Sequence, residues 1–372
     1  MRGCVAVLGA GGFVGARFVE MAALEGDDHV VPVVRALRSV GRNAHLGISH
    51  RVGDASRPDS LARAIEGCDV VVDLTKGDTA KILRTTQSVY AAAKAVGARL
   101  IVHLSSAVVY GNVDRPDLPD DAPPSAGHRS LYASQKSLAE SFLRERTTDP
   151  RLKVVVLRPS LIWGPGSPYV LGTASDLLRG SAYLVADGVG ICNLMYVDNL
   201  VDSIKAVIGH PAVTSGFYHV GDDELTTWRD FYLAIASGIG VKPETIHMFP
   251  DGDYRSGMHA RLEDLQSFRA YAWLKHRVPK QTRAAIRDRL GLGRGDGFAL
   301  VAGGGADPSV TRELWELQRT HYRLPTARFQ AVFGRPHSVT FEKGMAASLA
   351  WLRFIGAARR GASATALATA AP

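Results

Sequence analysis

Five residues, Cys4-Val-Ala-Val-Leu8, run without a polar interruption straight into Gly9-Ala-Gly-Gly12-Phe-Val-Gly15. A continuous apolar run this short suits a strand buried on both faces, which is the situation of a parallel sheet. Parallel strands need crossover connections, usually helices. An apolar helical pattern through Phe18, Val19 and Leu24 follows at once. The junction therefore commits the first residues to a strand, a tight glycine turn and a helix packed back onto the sheet.

The rhythm repeats. His29–Val34 reads as a second strand, and Val52 leads to Asp54. Arg57-Pro58-Asp59 opens a helix through Leu61, Ala64 and Ile65. Asp69–Leu74 reads as a buried strand, Thr79–Val96 as a helix stopped by Gly97, and Arg99–Leu104 as a strand delivering Ser105 and Ser106. The Pro- and Asp-rich stretch Asn112–Arg129 is a loop, Ser130–Arg146 a helix and Lys153–Leu157 the next strand. Such alternation predicts an α/β domain, a parallel sheet with helices on both faces. Ligands of such sheets sit at the carboxyl ends of the strands. Gly9, Asp54, Leu74, Thr75, Ser106 and Pro159 all fall just past predicted strands.

After Pro159 the pattern loosens. Gly164-Pro165-Gly166 is a loop and a helix begins at Ala174–Leu178. Met195–Asp198, Phe217–Val220 and Ile246–Phe249 read as strands, and Thr227–Ile239 as a helix. The expected organisation is a dinucleotide-binding domain over 1–160, to which later strands return, and a smaller substrate lobe over 161–355. Residues 255–323 form an Arg-rich insertion with helical stretches at Ala260–Ala272 and Lys280–Leu290 and a glycine-rich run at Gly291–Gly305. Glu313–Gln318 resumes helix, Phe341–Ile355 is amphipathic, and the alanine-rich 356–372 is a flexible tail.

Composition narrows the function. The 372 residues are 46% hydrophobic, which excludes global disorder, and the net charge is +8. The excess is spread along the chain, which favours an anionic small ligand over nucleic acid. Cys4, Cys68 and Cys192 are too few and scattered for a disulfide framework or a zinc site, and Cys4 and Cys68 read as inert core thiols. The histidines lack metal-ligand spacing, and His103 reads as a satisfied core residue. A reducing cytoplasm is expected, with no signal-peptide pattern and no apolar run of membrane-spanning length.

The chemistry sits in Tyr132-Ala-Ser-Gln-Lys136, read with Ser106. Residues four apart share a helix face. A lysine ammonium near a phenol favours the phenolate, which makes tyrosine usable as an acid or base near neutral pH. Ser106 would hold the substrate oxygen. In the glycine turn, Gly9 allows the tight bend, Gly12 lets the backbone approach a pyrophosphate, and Gly15 permits close helix–strand packing. Arg35 and Arg38 follow the second strand, and His29–Arg51 contains no acidic residue. That pattern favours the extra phosphate of NADP over the ribose hydroxyls of NAD. Asp54 accepts from an adenine amino group or caps the turn before Arg57.

Together the glycine turn, Asp54, Ser106, Tyr132-x-x-x-Lys136 and Leu157-Arg158-Pro159-Ser160 resemble the extended short-chain dehydrogenase/reductase superfamily, the NAD-dependent epimerase/dehydratase family. Val109-Tyr110-Gly111, Gly164-Pro165-Gly166 and Tyr196-Val197-Asp198-Asn199 extend the likeness. The resemblance implies a Rossmann-type doubly wound sheet with a smaller C-terminal substrate lobe. It implies cofactor contacts from Gly9, Gly12, Phe13, Val14, Gly15, Arg35, Arg38, Asp54, Ala55, Leu74, Thr75, Lys76, Tyr132, Lys136, Pro159 and Ser160. Tyr132 would be the acid/base, Lys136 would hold the nicotinamide ribose and tune it, and Ser106 would orient the substrate beside Ala107, Trp163, Asn193 and Arg255. A homodimer through the helices over 79–96 and 130–146 follows by analogy. Ala107 and Val108 stand where dehydratases of the family carry acids, which disfavours elimination. The expected activity is epimerisation or oxidoreduction of a nucleotide sugar. The alternatives are a hydroxysteroid-like oxidoreductase of an apolar alcohol, its pocket lined by Trp163, Tyr169 and Tyr183, and a non-catalytic NADP sensor.

Overall fold

The computed structural model describes residues 3–252, apart from 42, 112–117, 120 and 129, together with 254, 308 and 310–358. Seven strands form one sheet: β1 (Cys4–Leu8), β2 (Val30–Val34), β3 (Arg51–Val52), β4 (Cys68–Asp73), β5 (Leu100–Leu104), β6 (Lys153–Pro159) and β10 (Gly216–Val220). Their order is β10-β6-β5-β4-β1-β2-β3, and every pairing is parallel. The chain winds outward from β1 through β2 to β3, then crosses back to place β4 on the other side of β1. That reversal opens a crevice at the carboxyl ends of β1 and β4, the usual dinucleotide position in this topology.

Both faces of the sheet are covered, as the apolar runs of its inner strands require. Val5 and Val7 point into one core with Phe18 and Val19 of α1 (Phe13–Leu24) and with Leu200, Val201 and Ile204. Ala6 and Leu8, one residue out of phase, point into the other. There they meet Leu61 of α2 (Pro58–Ala64), Val89 of α3 (Ile82–Ala95) and Leu143 of α4 (Leu131–Arg144).

The chain divides into two compact units. The first takes residues 1–162, 193–223 and 323–340, so it includes β7 (Leu161–Trp163) up to Ile162, β9 (Leu194–Tyr196) and α6 (Val197–Gly209) besides the sheet. Asn199 of α6 is fully buried and ties the late segment in: its Nδ2 donates to Asp222 and Val339 O, and its Oδ1 accepts from Ser338 N and Val339 N. The second unit draws on 163–192, 224–322 and 341–372. Its described elements are α5 (Pro168–Arg179), β8 (Tyr183–Val185), α7 (Trp228–Ile239), β11 (His247–Phe249), α8 (Arg312–Gln318) and α10 (Phe341–Phe354), with β8 and β11 paired in parallel. Helix α9 (Ala327–Phe333) belongs to the first unit.

Three local expectations change. Helix α5 starts at Pro168, not near Ala174, because Ser167 Oγ accepts from Tyr169 N and proline suits the first helical position. The stretch predicted as a strand through Asp198 ends at Tyr196, and Val197 already starts α6. Cys4 and Cys68 are not separate thiols. They lie opposite each other in the β1–β4 register, with Cα atoms 4.3 Å apart, and are joined as a disulfide. The expected helices at Ala260–Ala272 and Lys280–Leu290, the run at Gly291–Gly305, Arg255 and 359–372 lie outside the described residues.

A buried ion pair underlies the site. Glu140 of α4 accepts from Nε and Nη2 of Arg158 on β6, the shortest contact being 2.5 Å, and both side chains are fully buried. Arg158 also donates to Tyr110 OH and to Ala122 O, so its fork anchors the loop after Ser106. Breaking such a pair leaves an uncompensated interior charge and costs about 3–5 kcal/mol. Glu140→Ala should therefore lower unfolding free energy by about that amount in urea titrations. A loss close to that of an ordinary surface substitution would show that the Tyr110 and Ala122 contacts alone satisfy Arg158.

Candidate active site

Gly9 follows β1 with φ +77°, a left-handed conformation that L side chains rarely adopt. A Cβ there would sit 2.8 Å from Leu74 O, at the end of β4. Gly15 packs as closely: a Cβ would fall 2.3 Å from Gly9 O. Gly12 N donates to Gly9 O at 2.8 Å and closes the turn, and Gly12 is the N-cap of α1. No acidic residue lies in the first turn of α1, so nothing there neutralises its positive end. Phe13 and Val14 begin the helix. Exposed N–H groups at such a helix start fit a pyrophosphate, and the cradle is one that side chains would fill.

The other strand ends line up beside it. Arg35 and Arg38 are exposed just past β2. Asp54, past β3, accepts from Ser56 N at 2.9 Å and from Ser56 Oγ at 2.7 Å, which makes the capped turn real. Those bonds, with the charge of nearby Arg35, hold its carboxyl below the ordinary range. Ala55 follows in the same turn. Leu74 and Thr75 leave β4 partly buried, and Lys76 is exposed. Past β6, Ser160 Oγ is buried without a hydrogen-bond partner, as is Ser105 Oγ past β5. Buried hydroxyls without partners at strand ends are what a ligand-binding edge leaves behind.

The three candidate catalytic residues sit on two neighbouring elements. Ser106 follows β5 and caps the short turn Ala107–Tyr110, its Oγ accepting from Val108 N at 3.3 Å. A hydroxyl that accepts one bond still has its hydrogen to donate. Tyr132 stands in the first turn of α4, half-buried. Lys136, one turn on, is only 3% exposed and donates from Nζ to Leu104 O at 2.6 Å. Burial pushes its ammonium below the usual lysine range, against the opposing charges of Asp73 and Glu140. Lys76 Nζ lies 5.4 Å from the centre of the Tyr132 ring, so two lysines flank this phenol's helix turn.

The expected substrate residues fare unevenly. Ala107 continues directly from Ser106. Asn193 spends its Oδ1 on Leu324 N at 2.9 Å. Trp163 is fully buried in the second unit, between Phe231 and Phe341, so its ring serves that unit's core instead of an open pocket wall. Tyr183 is likewise buried, its OH accepting from Thr311 N, while Tyr169 is half exposed. The apolar lining expected from those three rings is thus reduced to Tyr169. Arg255 lies outside the described residues.

One pair escaped the sequence reading. Asp73, the last residue of β4, accepts from His103 Nδ1 at 2.8 Å, and both side chains are buried. Its other oxygen accepts from Thr75 N and Thr75 Oγ1. Burial opposes a charge on Asp73, but the His103 bond and the neighbouring charges prevail and hold its carboxyl below the ordinary range. The only signal in the sequence was a carboxylate closing the apolar run Val70–Val72. His103 is not fully satisfied as expected, since its Nε2 is buried without a partner. Among the described residues no cluster of three or more His, Cys, Asp or Glu could hold a metal ion.

The model of the NAD dependent epimerase/dehydratase family matches residues 5–221. The chain belongs to that family. This NAD(P)-dependent epimerase/dehydratase family member is therefore an enzyme of the extended short-chain dehydrogenase/reductase type. It is 25% identical to the 2-alkyl-3-oxoalkanoate reductase of Shewanella oneidensis over 264 residues, 64% of this chain and 67% of that one. It is 26% identical to the UDP-glucose 4-epimerase of Vibrio cholerae over 241 residues, 59% and 70% of the two chains. Among solved structures, the UDP-glucuronic acid 4-epimerase of Bacillus cereus, in complex with UDP-glucuronic acid and NAD, superposes with a TM-score of 0.65 at 15% identity, over 94% of this chain and 99% of that one. The family member shares that fold.

Proposed function

We propose that this enzyme epimerises or oxidises a carbinol of a nucleotide sugar, with Tyr132 as its acid/base. The observation that carries the reading is Lys136, a lysine buried one helical turn from Tyr132 and seated on the end of β5. A buried ammonium facing the reaction space is costly unless it has work to do. A bound NAD or NADP would supply reversible hydride transfer at the substrate carbon. Gly9, Gly12, Phe13, Val14 and Gly15 would hold the pyrophosphate. Arg35 and Arg38 would meet the adenosine phosphate of a bound NADP, with Asp54 and Ala55 at the adenine. Leu74, Thr75, Lys76, Pro159 and Ser160 would border the nicotinamide end.

The protein's own steps are proton transfers and positioning. Ser106 donates its hydroxyl hydrogen to the substrate oxygen and fixes its orientation. Tyr132 takes the proton from that oxygen as the carbinol is oxidised and gives it back on reduction. Lys136 favours the phenolate form and so brings that exchange toward neutral pH. Ala107 and Val108 offer no acid for elimination, so the substrate keeps its hydroxyls. The likeness to a UDP-glucose 4-epimerase favours the nucleotide sugar, and the net charge of +8 suits a diphosphate. A second reading, reduction of an oxo group on a lipid-like acid, is favoured by the 2-alkyl-3-oxoalkanoate reductase likeness. A homodimer through α3 and α4 accompanies both; no described helix is long and apolar enough to cross a membrane.

Native mass spectrometry of protein purified without added ligand separates them. Retained NAD favours epimerisation, since the cofactor must be regenerated in place. An empty site that takes up NADPH favours the reductase. Protein that binds neither dinucleotide would defeat both readings.

A further inference from the structure

The Asp73–His103 pair has no part in the chemistry above, yet it lies at the strand ends that carry it. Asp73 and His103 are partners in the β4–β5 register, and Leu104, whose carbonyl receives Lys136 Nζ, is the next residue on β5. Charged groups act on the Lys136 ammonium from three elements: Glu140 from its own helix, Asp73 from the end of β4 and Lys76 from the segment after it. Glu140 is already engaged by the two nitrogens of Arg158. Lys76 repels. Asp73 remains, and its partners leave it ionised. A carboxylate only accepts, so His103 Nδ1 carries the shared hydrogen. Its Nε2 is buried without a hydrogen-bond partner.

We infer that Asp73, aimed by His103 and Thr75, is the buried counter-charge that keeps Lys136 protonated and seated at the end of β5, a positioning residue acting on Tyr132 through Lys136. The inference rests on the proposed role of the Tyr132–Lys136 pair. A lysine that loses an opposite charge holds its proton less firmly, so its charged form disappears at a lower pH.

Asp73→Asn, nearly isosteric, should therefore move the alkaline fall of kcat down by about one pH unit or more, with turnover largely recovered on acidification. His103→Asn, which keeps a donor to Asp73, should leave that limb in place. Coupling is reciprocal, so Lys136→Met should raise the titration of a buried aspartate carboxyl, followed by 13C NMR, by about one pH unit or more without any turnover being needed. That second measurement serves if Asp73→Asn does not fold. An alkaline limb unmoved in Asp73→Asn, a profile merely scaled down at every pH, or aspartate carboxyls unchanged in Lys136→Met would overturn the inference. Tyr132→Phe retaining activity would instead defeat the catalytic reading, while the carboxyl titration would still report whether Asp73 and Lys136 are coupled.

Discussion

Tyr132→Phe should lower kcat by about 10²- to 10⁴-fold, the range a positioned general acid/base contributes. Dinucleotide affinity should stay within a few-fold of wild type. The reason for the split is local. Removing the phenolic oxygen deletes the proton acceptor, while the ring stays in the first turn of α4 and Lys136 keeps its bond to Leu104 O. The glycine cradle and the Arg35–Arg38 stretch are untouched. Stopped-flow or steady-state turnover paired with a cofactor titration by fluorescence reads both quantities. Turnover equal to wild type would remove Tyr132 from the chemistry and with it the proposed mechanism.

Gly15→Ala should be nearly as damaging, but in the opposite pattern. Its new methyl would lie 2.3 Å from Gly9 O and 2.8 Å from Gly9 C, all backbone, so no side chain can move aside. Either α1 backs away from β1 or the turn opens. Overpacking of this kind costs about 1–3 kcal/mol. If the strain falls on the bound state, the dinucleotide dissociation constant rises about 5- to 150-fold. Gly209→Ala is the control, since its added methyl would meet nothing within 4 Å. Calorimetric titration and urea unfolding of both variants check the pair; Gly15→Ala equal to wild type in both affinity and stability would show that this turn does not need its close backbone approach.

The doubly wound sheet was legible because its inner strands carry continuous apolar runs, such as Val5–Leu8, Val70–Val72 and Val154–Leu157, which burial on both faces explains. The glycines marked the crevice because each answers a backbone approach: Gly9 toward Leu74, Gly15 toward Gly9. Family membership followed from motifs anchored to those strand ends. Other features were not legible, for particular reasons. Pro168 read as loop because proline and glycine crowd Gly164–Pro168, yet a proline at the first helical position is favoured once Ser167 caps it. Tyr183–Val185 is too short to show a period. Cys4 with Cys68, and Asp73 with His103, are pairings created by strand register. Sequence separation gave no hint of either. Trp163 was placed in a pocket on its chemistry, whereas its neighbours Phe231 and Phe341 take up its ring.

The seventh strand and the Asn199 crosspiece bear on how the enzyme is made. Strand β10 completes the sheet from residues 216–220, and Val339 closes onto Asn199 from later still. During synthesis, a chain released only through β6 presents that strand's bare hydrogen-bonding edge to its surroundings. The nucleotide-binding half is therefore assembled from three separated stretches and is finished only when most of the polypeptide has left the ribosome. It is not a cassette that a single cut could lift out and graft elsewhere.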